Sequence, residues 1–403
     1  MGDKKRLIFL GLWGATLMVQ FGETIPQSFQ PLFFEQLGIS AALIGILYNI
    51  RNVEQMGLSF FSGSLSDVLG RKKLILIGLI LIALVPLIYA VSWNTWFPIA
   101  GMFVSGLGLS IFFPPTQSYA SSLYPPHQVG AAMGRYHMSW AVSAVIGPSV
   151  GGFLALYFPE YRQIFVIASI TSMTAVAIFT LLTRGDHESR SGENVSNQTS
   201  KLIQEFPSTM RRLSSNKAVV AGCAAVFVHA FCHWMLPTYI PLYAEGVLGF
   251  NTVDIGLALT ANALVMAVAL PIVGTFSDRT ERLPLIVTGL LVSVAAFAVL
   301  PEVRSPIALI ALMAVLGFCA VLEFPISQAV VMESIPLVDR GSATGVWAMM
   351  MSLGGTIGMF IMAFIVSVAP IGWIFYFCAA FSLAAGLGMV VIRGYFKTHP
   401  GSS

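Results

Sequence analysis

The sequence predicts an all-α integral membrane protein: twelve transmembrane helices in two parallel six-helix repeats. Three observations carry this. Of 403 residues, 56% are hydrophobic and only 10% charged, with a mean hydropathy of +0.82. Soluble domains carry about 25% charged residues, so no water-soluble core could hide this much apolar surface. Twelve apolar runs are long enough to cross a bilayer core, which takes about 20 residues per helix. The chain also repeats itself at an offset of 211 residues, which maps Asp67 onto Asp278, Gly63 onto Gly274, Arg71 onto Arg282, Pro114 onto Pro325, Gly147 onto Gly358, Pro26 onto Pro237 and Gly38 onto Gly249. Matched Gly, Pro and Asp at turns and helix ends, without a gap, mark two copies of one unit. Such a duplication places a ligand site centrally, between the copies.

In chain order the predicted spans are 7–37, 41–63, 73–93, 96–123, 129–158, 163–183, 217–246, 252–275, 284–301, 305–332, 341–369 and 372–393. Many exceed the minimum length, which implies tilt or protruding ends. Pro and Gly within them are tolerated and mark bends. The domains expected are an N-terminal bundle over 1–183, a linker over 184–216 and a C-terminal bundle over 217–403. The linker is rich in Ser, Asn and Gln and reads as surface chain. Its glycosylation-like triplets at Asn194 and Asn197 fall on the cytoplasmic side of the topology and read as chance matches.

Of the 21 Lys and Arg residues, Arg162 and Arg304 lie on one side and Arg51 and Arg135 within spans; the other 17 share a side with both termini. That side is the cytoplasm. The expected location is the plasma membrane, multi-pass. Met1 to Arg6 is basic, but the following apolar run is too long for a cleaved signal and leads into a full span. The four cysteines fall in apolar segments and should be free thiols. The net charge of +3 is too small to suggest nucleic acid.

Between spans 2 and 3 the sequence reads GSLSDVLGRKK, from Gly63 to Lys73. This resembles the loop signature of the major facilitator superfamily, G-x-x-x-D-R-x-G-R-R-K. The resemblance covers essentially the whole chain and implies alternating access by two bundles. It implies a conformational latch at Gly63, Asp67, Gly70, Arg71 and Lys72, echoed by Asp278 and Arg282 in the second copy. Val68 stands where the signature has Arg, which weakens one ion pair of that latch. Span 5 reads GRYHMSWAVSAVIGPSVGG and resembles the helix 5 signature of the drug:proton antiporters, with Gly134, Gly147, Pro148, Gly151 and Gly152 matching and Ser143 replacing one Gly. Small residues at that spacing open a groove for a second helix, and close packing alone also explains them. The Arg that such exporters carry in helix 4, ahead of a Gly-x-Gly, is absent: Met102 precedes Gly106 and Gly108.

Charges inside spans cost about 2.5–3.5 kcal/mol on insertion scales and point to function. Glu23, among Pro26, Gln27 and Pro31, lies about 24 Å into its span and is the first candidate proton carrier; a structural reading has it bonding the proline-broken backbone. Arg51 and Glu54 lie three apart on one helix face. They read either as a mutually neutralising brace or as a coupling element, with Arg51 taking an anionic substrate or replacing the missing helix 4 Arg. Their repeat mates are Asn262 and Val265, and the mate of Glu23 is Trp234, so neither feature belongs to the repeated scaffold. Glu323, beside Pro325, is the third proton-coupling candidate. His229 and His233 are four apart, a spacing that suits a metal, but no third ligand is evident nearby, so a packed or cavity-lining pair is the plainer reading and no metal is assigned. Gln27, Arg51, Trp140, His233, Trp234, Tyr239, Asn262 and Trp347 form the candidate substrate lining, aromatic enough to suit an amphipathic or lipophilic compound.

The expected activity is proton-coupled export of such a compound, using protons and a small-molecule substrate as partners within the bilayer, as a monomer and without a cofactor. A symporter or exchanger of a small organic anion and a lipid flippase stay open as alternatives. No nucleophile–base pattern or phosphate loop suggests an enzyme.

Overall fold

The computed structural model describes residues 3–125, 128–158, 160–184, 215–335 and 340–398, without the side chains of 3, 56, 59–61, 63–69, 340–342 and 392–398. The described residues are helical, with no strand among them. Among the described residues, eleven helices are long and apolar enough to cross a membrane. The predicted second span coincides with a further helix, Ala41–Leu69, of 29 residues.

The first span is not one helix. α1 (Asp3–Thr24) gives way to a short 3-10 turn over Ile25–Ser28 and then α2 (Gln30–Gln36). Pro26 and Pro31 cause this, because each removes a backbone donor and crowds the preceding turn. α3 (Ala41–Leu69), α4 (Arg71–Ala90), α5 (Trp96–Ser122), α6 (Val129–Tyr157) and α7 (Tyr161–Leu182) follow. The seventh span breaks like the first, into α8 (Lys217–His233) and α9 (Leu236–Gly246), with Pro237 at the break. Then come α10 (Thr252–Ser277), α11 (Arg282–Val299), α12 (Pro306–Glu333), α13 (Arg340–Val368) and α14 (Trp373–Thr398). Within the predicted spans 7–37 and 217–246 the helix is thus broken, where Pro26 and Pro237 mark the bend. α2 and α9 are each followed by a turn that holds a glycine with positive φ, Gly38 at 84° and Gly249 at 70°. Only glycine adopts that conformation freely, and the two stand 211 residues apart.

The chain divides into two compact units: Met1–Glu193 with Ala244–Thr260, and Asn194–Tyr243 with Ala261–Ser403. In the first, α1 packs on α6 and α7, and α4 on α5 and α7. Its core gathers Leu12, Ile82, Leu109, Phe112, Tyr136 and Phe179. In the second, α8 packs on α12 and α13, and α11 on α12 and α14. Val219, Val226, Val331 and Trp347 form a core there. α7 shows how a membrane helix is read from its faces. Ile164, Phe165, Ala168, Ser172, Ala175 and Phe179 are buried at helical spacing, while Val166, Ile170, Met173 and Leu181 on other faces are exposed and equally apolar. A helix apolar all round suits a bundle surrounded by lipid.

Candidate functional site

Small residues let the helices of each unit approach closely, and the repeat governs where. A Cβ on Gly147 would run into the Thr24 side chain, and one on Gly151 into the Ile25 carbonyl oxygen. The end of α1 thus lies in the groove of the helix 5 signature. Thr24 Oγ1 donates to the Ser143 carbonyl at 3.0 Å, and Ser143 Oγ donates to the Leu17 carbonyl at 3.0 Å. The second unit repeats the crossing, with Gly354 and Gly358 against the carbonyls of Phe227 and Phe231. Gly152 meets the Thr252 backbone, Pro148 is buried, and Gly134 has nothing within 4 Å of a built Cβ.

A polar cluster sits in this frame in the first unit. Arg51 Nη2 on α3 donates to Glu23 Oε2 on α1 at 2.8 Å, with side-chain exposures of 20% and 13%. The first candidate proton carrier, Glu23, therefore pairs across helices with Arg51, an expected substrate-lining residue. The i, i+3 pairing of Arg51 with Glu54 is corrected: Glu54 faces α5, where a Cβ on Gly106 would touch its carboxylate, and its Oε2 is buried without a hydrogen-bond partner. Arg51 Nε, Tyr89 Oη, Ser105 Oγ and Ser172 Oγ are likewise buried without partners. Glu23, Gln30, Arg51, Tyr89 and Ser105 line a small cavity. The Met102 side chain, where an Arg was missed, is 1% exposed. The cation of this cluster is Arg51, on α3.

The second unit holds a different cluster. Glu323 on α12 is 1% exposed and lies between two histidines of α8. Its Oε2 is 3.0 Å from His229 Nδ1 and 3.4 Å from His233 Nε2. Ser293 Oγ on α11 donates to its Oε1 at 2.7 Å. The imidazoles stack with centroids 4.5 Å apart. Sequence reading treated the histidines and Glu323 separately and did not consider Ser293. The repeat held the missing signal: the mates of His229, His233, Glu323 and Ser293 are Met18, Gly22, Phe112 and Ile82, none of them polar.

Other expected lining residues take varied places. Trp347 is 4% exposed and donates from Nε1 to Ser327 Oγ at 3.1 Å. Tyr239 is fully buried, with no partner for its hydroxyl. Asn262 Nδ2 donates to the Met313 carbonyl at 3.0 Å. Trp234 packs its ring on Gly355, Gln27 is half-buried in the 3-10 turn, and Trp140 is 52% exposed. Of the latch, the Gly63 and Asp67 side chains lie outside the described residues, as do Asn194 and Asn197. Gly70 starts α4 with φ 89° ahead of Arg71, and Lys72 Nζ donates to the Thr183 carbonyl at 2.8 Å. In the second copy, Arg282 Nη2 is 2.8 Å from both Asp278 Oδ1 and Glu333 Oε1. The four cysteines are free and buried, as the apolar placement predicted.

The comparisons with known proteins agree with this architecture. The family model described as Major Facilitator Superfamily matches residues 12–301 and 248–403. The quinolone resistance protein NorA of Staphylococcus aureus (strain MRSA252) is 25% identical over 260 residues, covering 64% of this chain and 61% of its own length. Multidrug resistance protein 2 of Bacillus subtilis (strain 168) is 23% identical over 266 residues, 66% of this chain and 65% of its own. The matches thus span less than two thirds of these relatives. Multidrug resistance protein MdtH of Edwardsiella ictaluri (strain 93-146) is 32% identical over 142 residues, 34% of this chain and 35% of its own. A solved structure of peptide transporter POT in complex with sulfate superposes with a TM-score of 0.77 at 13% identity, over 98% of this chain and 99% of that one. At that identity the likeness is one of fold. The broken first and seventh spans, the two-fold sequence repeat and a family model matched over nearly the whole chain converge: this multi-pass membrane protein belongs to the major facilitator superfamily.

Proposed function

We infer that the chain exports a small amphipathic or hydrophobic compound in exchange for protons, by alternating access. The observation that carries this reading is the Glu23–Arg51 ion pair inside a membrane span, 2.8 Å long. A carboxylate held there costs several kcal/mol unless it is paired or protonated. Protonating Glu23 would release Arg51 Nη2 beside an Nε that already has no partner, so proton occupancy controls whether α1 and α3 are tied. The names of the relatives, a quinolone resistance protein and two multidrug resistance proteins, support export of drug-like compounds. In this reading the bundles are 1–183 and 217–403, the linker 184–216 and both termini are cytoplasmic, and the protein works as a monomer in the plasma membrane.

The test is reconstitution into liposomes containing a pH dye, with lipophilic cations, organic anions and neutral compounds applied in turn. Substrate-dependent proton movement is expected, and its loss in Glu23→Gln. Undiminished pH-driven transport by Glu23→Gln would remove the reading. A second reading, symport or exchange of a small organic anion, is favoured by the unpartnered buried Nε of Arg51. Counterflow selective for anions and lost in Arg51→Gln would establish it.

A further inference from the structure

The cluster around Glu323 has the donor set of a metal centre. His229 Nδ1, His233 Nε2 and a Glu323 carboxylate oxygen lie within 4.8 Å of one another. Donors sharing one tetrahedral ion, with bonds of about 2.0–2.1 Å, stand about 3.3–3.4 Å apart. Two of the three edges, 3.0 and 3.4 Å, are near that separation already. The third, between the two imidazole nitrogens, is no longer than 4.8 Å. Two imidazoles and one carboxylate suit zinc-class ions rather than magnesium or calcium, which take all-oxygen shells. Ser293 Oγ holds Glu323 Oε1 at 2.7 Å, which orients the carboxylate and leaves Oε2 facing both rings. Such outer hydrogen bonds fix ligand orientation in metal sites.

Two further observations separate this from ordinary packing. His233 Nε2 is buried and has no hydrogen-bond partner, although it faces Glu323 at 3.4 Å. A polar atom in that position is costly to leave unsatisfied. In the first repeat the matching positions are Met18, Gly22, Ile82 and Phe112, none of them polar, so the polar set is particular to the second repeat.

We propose that His229, His233 and Glu323 bind one divalent transition-metal ion of the zinc class, inside the second unit, with a fourth position left open. The inference does not rest on proton-coupled export, and its test reads no transport. The full chain, purified in detergent and stripped with EDTA, is titrated with Co²⁺ and followed by visible absorption. Intense four-coordinate d–d bands saturating at about one ion per chain, and bleached by Zn²⁺, are the expected result. Glu323→Gln, His229→Gln and His233→Gln should each abolish the bands. Ser293→Ala should weaken binding about 10- to 100-fold, as for other outer-sphere partners. Monodisperse gel filtration certifies each variant. Wild-type protein without such bands, the result if the cluster holds only a proton, would overturn the proposal. So would stoichiometric bands persisting in any folded ligand variant.

Discussion

Replacing Glu23 and Arg51 singly and together gives a sharp test of the polar cluster in the first unit. At 2.8 Å and an effective dielectric of about 20, the Coulomb attraction is about 6 kcal/mol. Desolvation offsets much of it, and removing one member of a buried pair typically costs about 3–5 kcal/mol because the other charge is stranded. Exposures of 20% and 13% let some solvent relax the stranded group, which brings the expected single-variant loss to about 2–3 kcal/mol. Arg51→Gln should therefore destabilise strongly, and adding Glu23→Gln should restore most of the loss. Ordinary interhelical polar pairs in membranes average about 0.6 kcal/mol and reach about 1.7, so a coupling energy of at least about 1.5 kcal/mol is expected here. The assay is equilibrium unfolding in SDS-titrated mixed micelles, followed by circular dichroism. Effects that add within about 0.5 kcal/mol, the range for independent sites, would refute the reasoning and make the ion pair energetically idle.

The glycines of α6 separate packing from mere family resemblance. Gly151→Ala puts a methyl into the Ile25 carbonyl and should cost at least about 1–3 kcal/mol by overpacking. Gly134→Ala meets open space and should be neutral or stabilising by up to about 1 kcal/mol; the same unfolding assay reads both, and equal effects would contradict the built contacts. Arg282→Ala removes two ion pairs whose carboxylates, Asp278 and Glu333, are 69% and 62% exposed. Its stability loss should stay below about 2 kcal/mol and shrink as salt is raised, and a salt-independent loss would assign Arg282 a packing role instead.

The fold was legible because its signals are long and additive. Twenty-residue apolar runs and a gapless 211-residue offset leave little freedom of interpretation. The breaks at Pro26 and Pro237 were less legible. Hydropathy runs straight through them, and Pro is tolerated in membrane helices, so its presence alone does not tell a bend from a break. The polar residues were found individually but not in their partnerships. Arg51 and Glu54 invited pairing because they are adjacent on one helix, yet Arg51 reaches across to Glu23. His229 and Glu323 are separated by 94 residues, and only the three-dimensional packing of α8 on α12 makes them neighbours. The comparison of repeats that set Glu23 and Arg51 apart would have grouped His229, His233, Ser293 and Glu323 as well, since all four have non-polar mates.

The cysteines have an experimental consequence. Cys223, Cys232, Cys319 and Cys378 are 8%, 1%, 0% and 0% exposed, and they are the chain's full complement. An impermeant maleimide should therefore find the folded natural sequence nearly silent. A single cysteine placed at exposed Arg162 or Arg304 becomes the reactive handle without first building a cysteine-free background. Labelling intact cells against inverted vesicles then reads sidedness directly, and a fluorophore at the same handle turns the native protein into its own reporter of turnover.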